Sequence, residues 1–232
     1  MKNFVIQNFD RLARRVASQS PTLKRRGESF DILEIAFIKA GFESAEFYEE
    51  GFLTTPVFDS DLELLTHAVS LADHGGLFLE FGVASGRTIR HLAGQAQETI
   101  YGFDSFDGLP EDWRTGYGKG AFSGALPEMP PNVSLVRGWF DDSLPSFLQR
   151  RPEPVTFLHI DCDLYSSTKT VLDLLGGRIR KGCVIQFDEY WNYPGWKQHE
   201  FRAFEEFKSD AGISCEPIGF VPSHQQVAFV VL

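Results

Sequence analysis

Cysteine is scarce in this 232-residue chain: Cys162, Cys183 and Cys215 stand far apart, each in or beside an apolar run. Three thiols without paired spacing exclude a disulfide framework and a CxxC zinc site, and predict buried thiols in a reducing compartment. Long hydrophobic runs are also missing, since none approaches the ~20 residues that span a bilayer. Residues 1–16, MKNFVIQNFDRLARRV, hold neither a continuous apolar core nor a small-residue cleavage site, so no signal peptide is expected and the location expected is cytoplasmic. Basic charge is in deficit too. With 22 basic against 32 acidic residues the formal net charge is −10, and the surface as a whole should repel nucleic acid. The local exception is the early cluster Arg11, Arg14, Arg15, Lys24, Arg25 and Arg26. Internal repeats and low-complexity tracts are absent.

What is present describes a globular protein. Hydrophobic residues make up 43% and charged residues 23%, and the length suffices for one well-buried domain. Phe is frequent at 22 residues, which suits a large core and an aromatic-lined pocket equally. Over residues 4–17, Phe4, Val5, Phe9, Leu12, Ala13 and Val16 recur at helical spacing with arginines opposite. Such a helix can lie on a membrane surface, but covering the protein's own core, a substrate pocket or a partner subunit is the preferred reading. A homo-oligomer through the N-terminal helices is therefore an expectation. Residues 18–30 read as a loop, residues 29–40 as a second helix, and residues 41–56 are acidic and aromatic without a clear period. Ser60 followed by Glu63 is a capping box that opens a helix ended by Gly75-Gly76.

From there the chain alternates. Strands are expected over 77–81, 99–103, 133–136, 155–160 and 183–187, with helices over 87–96, 143–150, 166–179 and 197–209. Two more strands near 214–220 and 226–231 have only a short connection, which demands an antiparallel hairpin. Strands apolar on both faces and separated by helices predict an α/β fold: a doubly wound, mostly parallel seven-stranded sheet with a C-terminal antiparallel hairpin. Residues 1–56 are expected to form an N-terminal helical extension or lid, and residues 57–232 the domain.

Two strand ends carry the first chemical signal. The first strand runs into Glu80-Phe81-Gly82-Val83-Ala84-Ser85-Gly86-Arg87-Thr88, where Gly82 and Gly86 permit a tight turn and the next helix offers free N–H groups. Ala84 stands where a dinucleotide G-x-G-x-x-G needs its second glycine, which disfavours a nicotinamide-dependent reductase. The second strand ends at Asp104, 24 residues after Glu80 (104 minus 80), where a carboxylate can accept both hydroxyls of a ribose. Loop and acid together describe a nucleoside-containing cofactor.

At this point the sequence resembles the class I S-adenosylmethionine-dependent methyltransferases. More narrowly, it is similar to metal-dependent sugar O-methyltransferases of the macrocin O-methyltransferase type. The resemblance runs from about Phe78 onward, through LEFGVASGRTIRHLA, YGFDSFDGLPEDWR, VRGWFDDSLPSFL, FLHIDCDLYSSTKTVLDLL and GCVIQFDEYWNYPGWKQHEFRAF. It implies that Glu80, Gly82, Ser85 and Gly86 hold the methionine part of S-adenosylmethionine and Asp104 its ribose. Ser105 and Phe106 would lie near ribose and adenine, and Gly138, Trp139 and Phe140 would meet the adenine. Asp161, Asp188 and Glu189 match positions that bind Mg²⁺ in such enzymes; where the wider catechol-methylating group has Asn or Asp last, this chain has Glu189. A lysine base found three residues past the first ligand in that group is replaced by Leu164.

The residues argue for a metal independently. Asp161 and Asp188 each end an apolar strand, and adjacent parallel strands would set them side by side with Glu189. Such carboxylates repel unless one takes a proton or a hard cation joins them; helix capping or pairing with Lys and Arg is the bland alternative. The expected reaction is O-methylation of a small-molecule acceptor, a sugar unit or alternatively a catechol-like phenol, with Asp161 and His199 as catalytic residues. Asp163 and His159 follow His199 as candidate bases, His159 reading more as a core histidine. A scaffold that keeps the fold without the chemistry is disfavoured by Asp104, Asp161 and Asp188 together. Tyr190, Trp191, Tyr193 and Trp196 suit stacking on a ring-shaped acceptor or core packing. Segment 108–131 is long for a connection, which favours a lid or substrate loop.

Overall fold

The computed structural model describes residues 30–232, so the helix expected over 4–17 and the loop over 18–29 lie outside the described residues. Helix α1 spans Ile32–Gly51, with the Asp31 carboxylate accepting from Leu33 N at 2.9 Å. It continues well past the expected end at residue 40, through the acidic and aromatic stretch. The reason is tertiary: Phe47 meets the rings of Phe52, Tyr190, Trp191, Trp196 and Phe201 at centroid distances of 5.3–6.4 Å. Helix α2, Asp61–Leu71, begins as its capping box demands. Glu63 N donates to Ser60 Oγ at 3.2 Å, and Asp59 N donates to Glu63 Oε2 at 3.3 Å.

Seven strands follow: β1 Leu77–Phe81, β2 Ile100–Asp104, β3 Val133–Arg137, β4 Val155–Ile160, β5 Ile179–Phe187, β6 Cys215–Phe220 and β7 Val227–Val231. Their order in the sheet is β3-β2-β1-β4-β5-β7-β6. The first five run parallel, while β7 enters antiparallel between β5 and β6. Helices α3 Arg87–Gln95, α4 Phe140–Arg150, α5 Tyr165–Leu175 and α6 Glu200–Ala211 complete the expected doubly wound fold. Among the described residues, no helix is long and apolar enough to cross a membrane.

Alternate strand residues serve opposite layers. Phe78, Phe157 and Val184 join Leu64, Leu65, Ala68, Ile89 and Leu92 of α2 and α3 in one core. Leu79, Leu158 and Ile185 join Leu144, Phe147, Leu172, Phe204 and the aromatic residues after β5 in the other. Two boundaries differ from expectation. α5 ends at Leu175, because the Gly176-Gly177 pair opens a 3₁₀ turn over Gly176–Arg178, and β5 starts directly after it at Ile179. α6 starts at Glu200 rather than residue 197, a 3₁₀ turn over Trp196–Gln198 preceding it.

Candidate active site

The parallel register brings four strand ends level: Phe81 pairs with Phe103 and Ile160, and Ile160 with Phe187. The residues after these strands meet above the sheet edge, where open α/β sheets bind ligands. They border a cavity of about 620 Å³. Gly82 makes the convergence possible. Its φ is +94°, and a Cβ there would sit 1.6 Å from the Asp161 carbonyl oxygen, so the ends of β1 and β4 approach only because residue 82 has no side chain.

Asp104 fastens the loop after β1. Its Oδ2 accepts from Val83 N at 2.9 Å and Ala84 N at 2.8 Å, and its Oδ1 accepts from Phe106 N at 2.7 Å. Each oxygen retains a further lone pair towards the cavity that Asp104 lines. Gly82, Ser85, Ser105, Trp139 and Phe140 line the same cavity, as does Phe122 from segment 108–131. That segment holds the bridge Arg114–Tyr117, runs otherwise as turns and coil, and adds Gly108, Leu109, Pro110 and Glu111 to the wall.

Four residues expected at the cofactor stand behind the cavity wall. Glu80 is fully buried: Thr88 Oγ1 donates to its Oε1 at 3.1 Å, and His159 Nδ1 to its Oε2 at 3.0 Å. Gly86, with φ +80°, is the N-cap of α3. Phe106 is buried, and Gly138 N donates to the Asp104 carbonyl at 3.0 Å. Their common place is beneath or beside the loop, shaping it.

The acids do converge. Asp161, Asp163 and Glu189 line the cavity, and Asp188 stands beside them on β5's end. Burial and then the neighbouring Asp188 push the Asp161 carboxyl well above its usual range. Burial and Asp188 likewise push Asp163 up to about 7, against the pull of Arg114. Glu189 is raised by burial and Asp188. Asp188 Oδ2 accepts from Gln226 Nε2 at 3.2 Å, while Asp188 Oδ1 and Glu189 Oε2 are buried without a partner. Asp163 also holds a left-handed backbone, φ 64°, a conformation that non-glycine residues keep only when their surroundings impose it.

Glu200 was not among the residues expected here. It accepts from Cys162 N at 3.4 Å and from Glu189 N at 3.0 Å, tying the ends of β4 and β5 to α6. Its signal in the sequence was an acid at a helix start, which says nothing about which way it faces. Its neighbour His199, expected as a catalytic residue, is the N-cap of α6 and lies off the cavity wall. It rests 6.2 Å from the Tyr193 ring and 6.3 Å from Trp113, and burial together with Arg114 lowers its pKa. Tyr190, Trp191, Tyr193 and Trp196 are at most 3% exposed, so all four are core; the aromatic surfaces open to the cavity are Trp139 and Phe122.

Two Tyr-x-x-x-Lys spacings of the kind a reductase uses occur in the chain, and neither forms a site. Tyr165 donates to Glu206 and Lys169 to Asp173, while Tyr193 is buried and Lys197 lies over the Trp196 ring.

With this geometry in place, comparison with known proteins gives three results. The profile of a family described as a methyltransferase domain matches residues 79–190. No curated protein matches the chain. Among solved structures, the O-methyltransferase NovP is similar with 22% identity and a TM-score of 0.57, over 73% of this chain and 78% of that one. The calicheamicin methyltransferase CalS11 is similar with 18% identity and a TM-score of 0.58, over 95% of this chain and 90% of that one. An apo structure of CalS11, described as a TDP-rhamnose 3'-O-methyltransferase, gives 18% identity and a TM-score of 0.55, over 97% and 93%. At these identities the likeness is one of fold.

Proposed function

This chain carries a methyltransferase domain of the class I fold over residues 79–190, and we propose that it uses S-adenosylmethionine to methylate a hydroxyl of a polyhydroxylated small molecule, a sugar unit, with the help of a divalent cation. One observation carries the reading. Asp161 and Glu189 share a single cavity with the Gly82 loop and Asp104, while buried oxygens of Asp188 and Glu189 have no partner. Orphaned carboxylate oxygens at one sheet edge are costly alone and fit a hard cation such as Mg²⁺. Asp161 and Asp188 would hold it, with Glu189 beside them; when bound, it lowers the pKa of a substrate hydroxyl.

S-adenosylmethionine supplies an electrophilic methyl group. Asp104 accepts hydrogen bonds from its ribose, Ser85 and Ser105 flank it, and Trp139 and Phe140 offer it aromatic faces. Asp163 is the base that takes the proton of the acceptor hydroxyl, ahead of His199. It lines the cavity two residues from Asp161 in an imposed left-handed conformation, whereas His199 lies off the wall. The acceptor enters beside segment 108–131, with Phe122 and Trp139 as stacking surfaces. The rest of catalysis is alignment of hydroxyl and methyl in a cavity from which water is displaced. A sugar acceptor draws support from CalS11, described as acting on TDP-rhamnose, and transfer to oxygen from NovP.

The test is transfer of isotopically labelled methyl from S-adenosylmethionine to a panel of sugars, nucleotide sugars and catechols, with Mg²⁺ and with excess chelator. Product on a sugar hydroxyl, lost in chelator, is the expected result. Product on catechols alone would replace the acceptor class, and full turnover in chelator would sink the cation.

A further inference from the structure

Beneath the acids lies a buried imidazole whose arrangement the carboxylates alone do not explain. His159 is fully buried in β4. Its Nδ1 donates to Glu80 Oε2 at 3.0 Å, and its Nε2 has no hydrogen-bond partner. Gln186, its register partner on β5, is also fully buried and bonds to nothing through either amide atom, so it does not satisfy Nε2. A ring nitrogen of His159 and one carboxylate oxygen each from Asp161 and Asp188 all lie within 4.8 Å of one another. Nδ1 being engaged by Glu80, Nε2 is the nitrogen with a free lone pair.

A lone pair facing two carboxylates in a buried place is repulsive unless a cation stands among them. A histidine that ligates a metal through one nitrogen characteristically donates its other N–H to a carboxylate, which fixes the tautomer and raises ligand basicity. Glu80 occupies that place, with Thr88 holding its other oxygen at 3.1 Å. The surplus acid sits further out: among the described residues, Glu189 is outside the trio of converging donors.

We infer that the cation site of this chain is built from His159, Asp161 and Asp188, with Glu80 orienting the imidazole, and that it takes a borderline divalent ion such as Mn²⁺ in preference to Mg²⁺. The inference rests on the cation reading above and sharpens it. One nitrogen and two oxygens are a mixed donor set; imidazole favours first-row transition ions, while carboxylates alone suit Mg²⁺. Glu80 then has a function that its place behind the cofactor loop otherwise lacks. It couples β1, which carries the loop, to β4, which carries the metal ligands.

The experiment uses the full chain, stripped of metal with chelator and titrated with Mn²⁺ alone or Mg²⁺ alone by calorimetry, with pulsed electron paramagnetic resonance on the Mn²⁺ form. The expected result is tighter binding of Mn²⁺ than Mg²⁺ and a ¹⁴N coupling from a directly bound imidazole. His159→Gln should lose that coupling and weaken Mn²⁺ by roughly 10–100-fold, and Glu80→Gln should weaken it by about 10-fold while keeping the coupling. Because the coupling is read in the unmodified chain, a variant that folds poorly does not remove the test. Mn²⁺ bound without ¹⁴N coupling would overturn the histidine ligand and leave an all-oxygen site standing. Absence of binding by either ion would overturn that site as well.

Discussion

Gly82 and Asp161 touch where no side chain could intervene: a Cβ on residue 82 would lie 1.6 Å from the Asp161 carbonyl oxygen. The loop that reads as a cofactor motif is therefore also the seat of the strand end that carries the first acid. Gly82→Ala meets both this overlap and a positive φ, so it should cost about 2–4 kcal/mol and lower the midpoint of thermal unfolding by many degrees. Gly94, inside α3 with open space around it, is the control. Gly94→Ala should leave the protein as stable or more so by about 0.5–1 kcal/mol.

Asp188→Asn removes a like charge from a site whose acids raise one another. In excess chelator the variant should unfold at the same temperature as the parent chain or higher. Added divalent cation should stabilise the parent, by about 2.7 kcal/mol at a concentration 100 times the Kd, and leave the variant unmoved. Thermal unfolding with and without chelator reads both arms, and loss of stability of the variant in chelator would contradict the unpaired state of Asp188 Oδ1.

Asp104→Asn replaces an acceptor of three backbone N–H groups with an amide that can accept through one atom only. Loss of charged hydrogen bonds of this kind costs about 1.5–3 kcal/mol, equivalent to roughly 10–150-fold in affinity. Calorimetric titration with S-adenosylmethionine should show that weakening, while cation binding stays within a few-fold.

His199 supplies a signed pH dependence. Burial and Arg114 hold its folded pKa below the ordinary value, so the folded chain binds fewer protons than the unfolded one once pH falls below about 6.5. The stability attached to neutral His199 is complete above that pH and declines as pH falls from there through the folded pKa. His199→Gln should flatten this decline between about pH 7 and 5 in unfolding-midpoint measurements. It should also retain most methyl transfer, as fits a residue off the cavity wall; a collapse of kcat would restore it as the base.

The fold was legible because its signals are local and periodic. The apolar strands at 77–81 and 155–160 and the Ser60–Glu63 box are visible within a few residues, and each stands where expected. The cavity's glycine loop, Asp104 and Asp161 were legible because strand ends have a fixed place in a parallel sheet. Misplaced features depended on contacts across the chain. The continuation of α1 to Gly51 is decided by Phe47 meeting residues about 150 positions later. Tyr190, Trp191, Tyr193 and Trp196 could have faced a ligand; Phe47 and Phe52 arriving from α1 make them core. Glu200 and His199 are adjacent, and spacing alone could not tell that the glutamate turns inward.

Asp104 holds the loop after β1 through three backbone hydrogen bonds in the chain itself, with no nucleoside among its partners. A ligand thus meets a finished wall, and little ordering entropy of that loop is left to be lost on association. Encounter rate should then be governed by passage beside segment 108–131, and relaxation after mixing should follow a single binding step with no slower phase for the loop.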